Sequence, residues 1–162
     1  MEIRFAMEAD FDRIAKLAIQ GQHFHVNLRP DLYLEATKQT PVLSEDHYKE
    51  IIRNNNMIVY IEGGMILAYM AFEDKIVMNP LMKKQRILFI NSLSVDDNYK
   101  HRGISKRLMA WLKQYARDNK YEKIELQVND RNDIAKQLYL AQGFKNKSIN
   151  MEYFLDSKEE HE

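Results

Sequence analysis

The chain has 162 residues and a mass of 19.3 kDa, with 24 Lys plus Arg balanced against 24 Asp plus Glu and 45% hydrophobic residues. That is the size and composition of one compact domain with its own core, and too apolar for a disordered chain. The absence of Cys removes disulfides, thiolate zinc sites, iron–sulfur clusters and a cysteine nucleophile, and zero net charge argues against a dedicated nucleic-acid binder, which carries a basic excess.

In chain order, Ile3 and Phe5 share one face of an opening strand, Glu2 to Ala6. Phe11, Ile14, Leu17, Ala18 and Gly21 then recur at helical spacing, predicting a helix to about His25. Asn27 to Leu43 reads mostly as loop. Ser44 to Asn54 opens with a capping box in which His47 stands where Glu or Gln is usual. Met57 to Ile61 is rich in strand formers, Glu62-Gly63-Gly64 is a hairpin signal, and Met65 to Phe72 returns as a strand. A second hairpin passes Asn79-Pro80 into Arg86 to Val95, where Ile87 to Ile90 are apolar on both faces, as in a central strand covered on both sides. Gly103 to Asn119 reads as a helix. Ile124, Leu126 and Val128 alternate with polar residues in a further strand, and Asn132 or Asp133 caps a helix that ends at Gly143. Asn150 to Leu155 is expected as a last strand and 156–162 as a charged, frayed tail, so residues 1–155 make the domain. The most apolar windows fall far short of the ~20 residues that cross a bilayer, and no signal peptide is visible. The expectation is a cytoplasmic protein with neither membrane nor nucleic-acid partner.

The informative segment joins the central strand to the following helix. Around the turn at Gly103 stand Lys100, His101, Arg102, Lys106 and Arg107, in a chain that is neutral overall. A helix N-terminus presents unpaired N–H groups and about half a positive charge. Gly103 lets backbone approach a bulky anion, and Ser105 is too small to obstruct it. The pattern points to a phosphate site, although neither G-x-x-x-x-G-K-[ST] nor G-x-G-x-x-G is present.

Lys100-x-x-Gly103-x-Ser105 resembles the Q/R-x-x-G-x-G/A signature of the GNAT superfamily of N-acetyltransferases. Val128-x-x-x-Asn132-x-x-Ala135-x-x-x-Tyr139-x-x-x-Gly143-Phe144 is similar to that family's downstream motif, and the opening Ile3 to Phe11 is similar to its first strand and helix. Lys100 in place of Arg or Gln keeps a cationic donor without the forked geometry; Ser105 in place of Gly or Ala adds a hydroxyl. The resemblance implies an α/β (α+β) fold. In it a mixed central sheet of six to seven strands is flanked by about four helices, and a splayed parallel pair of strands lies at the cofactor site.

It also implies acetyl-CoA or another acyl-CoA as cofactor, with no metal. The pyrophosphate would lie on the backbone from His101 through Arg102, Gly103, Ile104 and Ser105 to Lys106, and the pantetheine arm along Leu93-Ser94-Val95 and Asn132. Tyr139 would face the departing sulfur. A phenol near ~10 is a weaker acid than a thiol near ~8.5, so full proton transfer is uphill by about 2 kcal/mol and Tyr139 is expected to stabilise a developing thiolate. The acceptor is an amine whose proton must be removed, at roughly 4–5 kcal/mol near neutral pH. The central strand carries no carboxylate at Phe89-Ile90-Asn91-Ser92, so the nearest candidates for the base are Glu73 and Asp74 at the end of the preceding strand, Glu73 first, with solvated hairpin charges as their plainer reading. His23, His25 and Asp31 are candidates for the acceptor mouth. His23 and His25 diverge by about 200° on a helix and make no metal pair. The alternative is a non-catalytic CoA-binding or regulatory protein of the same fold. A homodimer is plausible by resemblance.

Overall fold

A computed structural model describes residues 1–155; the expected tail, 156–162, lies outside the described residues. β1 (Glu2–Phe5) leads through a 3₁₀ turn, Glu8–Asp10, into α1 (Phe11–Leu28). That helix runs past the expected end at His25, and Arg29 N–H closes it on the His25 carbonyl. α2 (Glu45–Arg53) starts at Ser44, whose Oγ accepts from the His47 N–H at 3.2 Å, the serine half of the expected box. β2 (Met57–Glu62), β3 (Met65–Val77) and β4 (Gln85–Val95) follow as a meander, and Gly63 and Gly64 make its first turn at φ +59° and +75°. A second 3₁₀ turn, Asp97–Tyr99, precedes α3 (Ile104–Asp118), β5 (Lys123–Leu126) and α4 (Asp133–Ala141).

The strands form one sheet in the order β1-β2-β3-β4-β5, antiparallel throughout except for the parallel β4–β5 pair joined by α3. Among the described residues five strands stand where six to seven were expected, and Asn150 to Leu155 forms none. Its alternation of apolar and polar residues is a real strand pattern, but a strand also needs a neighbour's amides, and this segment takes none from its own sheet.

Both faces of the sheet are covered. Tyr60, Phe72, Leu88 and Ile90 pack against Leu108, Met109 and Leu112 of α3, while Val59, Tyr69 and Ala71 pack against Ile14 and Leu17 of α1 and Tyr48 of α2. Two-sided covering is why the central strands read as apolar without alternation.

Two irregularities in β4 shape the site. Ala71 faces Ser92 and Phe72 faces Ile90, so Asn91 is an extra residue, a β-bulge. Leu88 and Ile90 point toward α3 before it, and Leu93 and Val95 do so after it; the bulge resets the alternation. β5 pairs only with Ile87 to Ile90, so β4 runs on from Asn91 to Val95 with no strand on that side.

Candidate functional site

The open edge of β4 leads directly to the turn before α3. Asp96 caps the intervening 3₁₀ turn by accepting from the Asn98 N–H at 2.9 Å and pairs with Arg13 of α1. Those two hydrogen bonds, Arg13 first, hold the Asp96 carboxyl below its usual range. His101 and Gly103 both adopt left-handed backbone, at φ +63° and +76°. Gly103 is the N-cap of α3, and no side chain accepts from the first turn of that helix. The N–H groups of Ile104, Ser105 and Lys106 are therefore available to an anion. A Cβ at Gly103 would meet nothing within 4 Å, so the space in front of the turn is open.

The cations are arranged differently from their crowding in the sequence. Lys100 is paired with Asp97, and Arg102 lies 3.5 Å from Glu62 with its guanidinium over the Tyr99 ring. Arg107 turns back onto the sheet and donates to the Tyr60 hydroxyl at 2.7 Å. His101 and Lys106 are exposed. Oriented amides, more than free side-chain charge, are what this turn has to offer an anion.

Of the strand residues expected to border the cofactor, Leu93 and Val95 face α3, and Ser94 faces α1, donating from Oγ to the Leu17 carbonyl at 2.9 Å. Asn132 is the N-cap of α4; its Oδ1 accepts from the Ala135 N–H at 3.1 Å, which leaves its amide nitrogen as a donor. Tyr139 lies on α4 against Phe144, with ring centroids 5.6 Å apart. The helix ends as the sequence indicated: Gly143 at φ +89°, Gly143 N–H on the Leu140 carbonyl and Phe144 N–H on the Tyr139 carbonyl. Burial pushes the Tyr139 phenol up, so it keeps its proton and serves as a donor.

A groove of about 810 Å³ runs between α2 and the β3–β4 pair and reaches round to Tyr115 of α3, Tyr121 and Arg86. It reaches Asn91 and Ser92 at the bulge and is lined by the carboxylates of Glu50, Glu73 and Asp74. Tyr69 also lines it; burial raises its phenol, opposed by a hydrogen bond with Ser92. Glu73 sits within β3, 3.1 Å from Lys75, and Asp74 takes Arg86 at 2.7 Å.

His23, His25 and Asp31 do not line this groove; they surround the far end of α1. His23 Nδ1 lies 2.6 Å from Glu35, and His25 stacks on Tyr33 with its Nδ1 buried and without a partner. Asp31 is held by Arg29, whose hydrogen bonds bring its carboxyl down to about 2. Two residues without a local signal complete the support. Gln20 bonds both Val95 and Asp97, and Arg13 bonds the Ile66 carbonyl as well as Asp96. Their partners lie more than 50 positions away, so only the fold brings them into view.

A family model described as the acetyltransferase (GNAT) family matches residues 25–144. N-acetyltransferase 8B of Mus musculus is 35% identical over 83 residues, which are 51% of this chain and 34% of that protein. The chain spans about a third of the length of the curated relatives it matches. Among solved structures, a mutant of the BH1408 protein from Bacillus halodurans superposes with a TM-score of 0.88 at 26% identity, covering 96% of this chain and 99% of that one. The aminoglycoside N-acetyltransferase AAC(6')-Iy in complex with CoA shares the fold, with a TM-score of 0.65 at 13% identity, covering 96% and 100% of the two chains.

Proposed function

This chain belongs to the acetyltransferase (GNAT) family, and from that premise we propose that it transfers an acetyl group from acetyl-CoA to a primary amine by direct attack on the thioester. The observation that carries the reading is the course of β4, which outruns its parallel partner and leads, through the turn at 96–103, to a helix N-terminus that no side chain caps. An acyl-CoA fits that arrangement, and when bound it would supply a thioester carbon open to an amine.

The amides of Ile104 to Lys106 neutralise phosphate charge, and the left-handed Gly103 keeps the approach clear. Backbone from Leu93 to Val95 has no strand on the β5 side, and although Gln20 takes the Val95 carbonyl, the remaining groups there are open to an extended chain lying as a further strand would. Its N–H groups stabilise charge developing on a carbonyl oxygen, where fixed donors help most. The Asn132 amide nitrogen orients the same arm. Tyr139 donates to the departing sulfur and keeps its own proton. The groove beside the bulge is the acceptor's route: Asp74 is neutralised by Arg86, so Glu50 and Glu73 are the carboxylates that favour a cationic amine, and Glu73, released from Lys75, takes the amine proton directly or through one water. The aminoglycoside N-acetyltransferases among the structural neighbours support a polar small-molecule acceptor.

The test is release of free CoA from acetyl-CoA with polyamines, aminoglycosides, amino acids and peptide N-termini, measured beside CoA binding. Amine-dependent release is expected with at least one class. Tight CoA binding without release from any of them would make the protein a non-catalytic CoA binder.

A further inference from the structure

The β3–β4 hairpin reaches beyond the rest of the sheet. β2 begins its pairing at Met57 against Ala71, and β5 begins at Lys123 beside Ile87, so from Ile76 to Gln85 no other strand lies beside the hairpin. Its end, 78–84, is an ordered turn. Asn79 Oδ1 accepts from the Leu81 N–H at 2.9 Å, and the Asn79 carbonyl accepts from the Met82 N–H at 2.9 Å. That turn holds apolar side chains in water: Ile76, Met78, Leu81 and Met82 are 54%, 79%, 95% and 57% exposed. They form a cluster, unlike the single exposed apolar residues of an ordinary surface. Charge is sorted in the same place. Residues 75–86 carry Lys75, Lys83, Lys84 and Arg86 and no carboxylate, in a chain of zero net charge. Glu73 takes Lys75 and Asp74 takes Arg86. Lys83 and Lys84, at the neck of the turn, are exposed and form no ion pair among the described residues.

We propose that this hairpin tip attaches the protein peripherally to an anionic lipid surface, with Met78, Leu81 and Met82 entering the acyl boundary and Lys83 and Lys84 at the level of the phosphates. A bilayer is the occupant because the tip is layered as a bilayer is. Leu81 stands at the middle of the turn with Met78 and Met82 beside it, and the unpaired lysines follow where the strand resumes. Lysine stems lie along apolar surface while their ammonium groups stay with the headgroups. The charge complements an anionic leaflet, and apolar area leaves water as the tip enters. The expectation of no membrane partner rests on the lack of a span, and a peripheral contact needs none; no described helix is long and apolar enough to cross a membrane. The tip also lies at the opposite end of β4 from the turn before α3, about 30 Å of strand away, so attachment leaves that turn open. This inference is independent of the acetyltransferase reading.

The test is cosedimentation of the full chain with vesicles of phosphatidylcholine mixed with phosphatidylserine, beside vesicles of phosphatidylcholine alone. Binding to the mixed vesicles should be at least about tenfold tighter and should weaken as salt is raised. Lys83→Gln with Lys84→Gln should weaken it by roughly 20-fold, about fivefold per lysine. Met78→Ser with Leu81→Ser should weaken it by roughly tenfold or more. All four positions are exposed, so both double variants should keep the wild-type far-UV circular dichroism. Leu81→Trp adds a second tryptophan to Trp111, and its emission should shift to the blue with mixed vesicles while the wild-type emission does not. Failure of the full chain to sediment with mixed vesicles, which would assign the tip to a protein surface, overturns the proposal. So does equal binding to both kinds of vesicle, a folded double variant that binds as the wild type does, or an unshifted emission in Leu81→Trp protein that sediments.

Discussion

Gln20 Nε2 donates to the carbonyl of Val95 at 2.8 Å, and Oε1 of the same side chain accepts from the Asp97 N–H at 3.2 Å. One amide on α1 thereby fixes both the last residue of β4 and the start of the anion-binding loop. Gln20→Leu removes both bonds and leaves two backbone groups to find water, at about 1 kcal/mol. CoA affinity should fall by up to roughly fivefold and the melting temperature by about 2–4 °C, as titration calorimetry and thermal unfolding would read. Unchanged affinity would show that the loop holds its shape without this tie.

Gly103, at φ +76°, is in a conformation that costs other residues about 1–2 kcal/mol. Gly103→Ala should lower the melting temperature by about 2–6 °C and weaken CoA binding by about tenfold. Gly103→Glu adds bulk and negative charge in front of the α3 amides and should abolish binding. A folded Gly103→Glu protein that still binds CoA would move the phosphate site elsewhere.

Tyr139→Phe keeps the ring contact with Phe144 and removes only the hydroxyl. Turnover should drop by about 100-fold while CoA affinity stays within about twofold. Because burial raises the phenol above its ordinary value, the wild-type pH profile should show no loss of activity from Tyr139 ionisation below about pH 10. Equal turnover in the variant would end the proposed role.

His25 supplies a pH dependence of stability. Its buried, unpartnered Nδ1 and its desolvation lower its folded pKa below 6.5. As pH falls through about 6.5, the unfolded chain takes up a proton that the folded one refuses, so His25's contribution is fully present above that pH and declines below it. Asp31 and Asp96, whose carboxyls are lowered chiefly by Arg29 and Arg13, act in the same direction but only below about pH 4. Urea unfolding between pH 7.5 and 5.5 should show stability declining with acidification, and His25→Phe should flatten that slope. An equal slope in His25→Phe would assign it to another group.

Asn150 to Leu155 shows how strand-forming residues can fail to make a strand. The composition was legible, but a strand is completed by a neighbour's amides, and this segment pairs with no strand of the sheet. The cation cluster was legible as composition alone. Lys100 is taken by Asp97, three residues before it, while Glu62 and Tyr60, brought in by the fold, take Arg102 and Arg107. The Asn91 bulge left no local mark, because it exists only as a register difference between β3 and β4.

Local chemistry along the chain was sufficient for the helices, the meander, the parallel crossover, the caps at Ser44 and Asn132, the helix end at Gly143 and the glycine turn that opens α3. Each depends on neighbours within a few positions and on a repeating apolar period. The splay beyond Ile90, the groove beside the bulge and the ties from Arg13 and Gln20 were decided by packing. They join residues tens of positions apart, and no periodicity records which distant carbonyl a side chain will meet once the layers close.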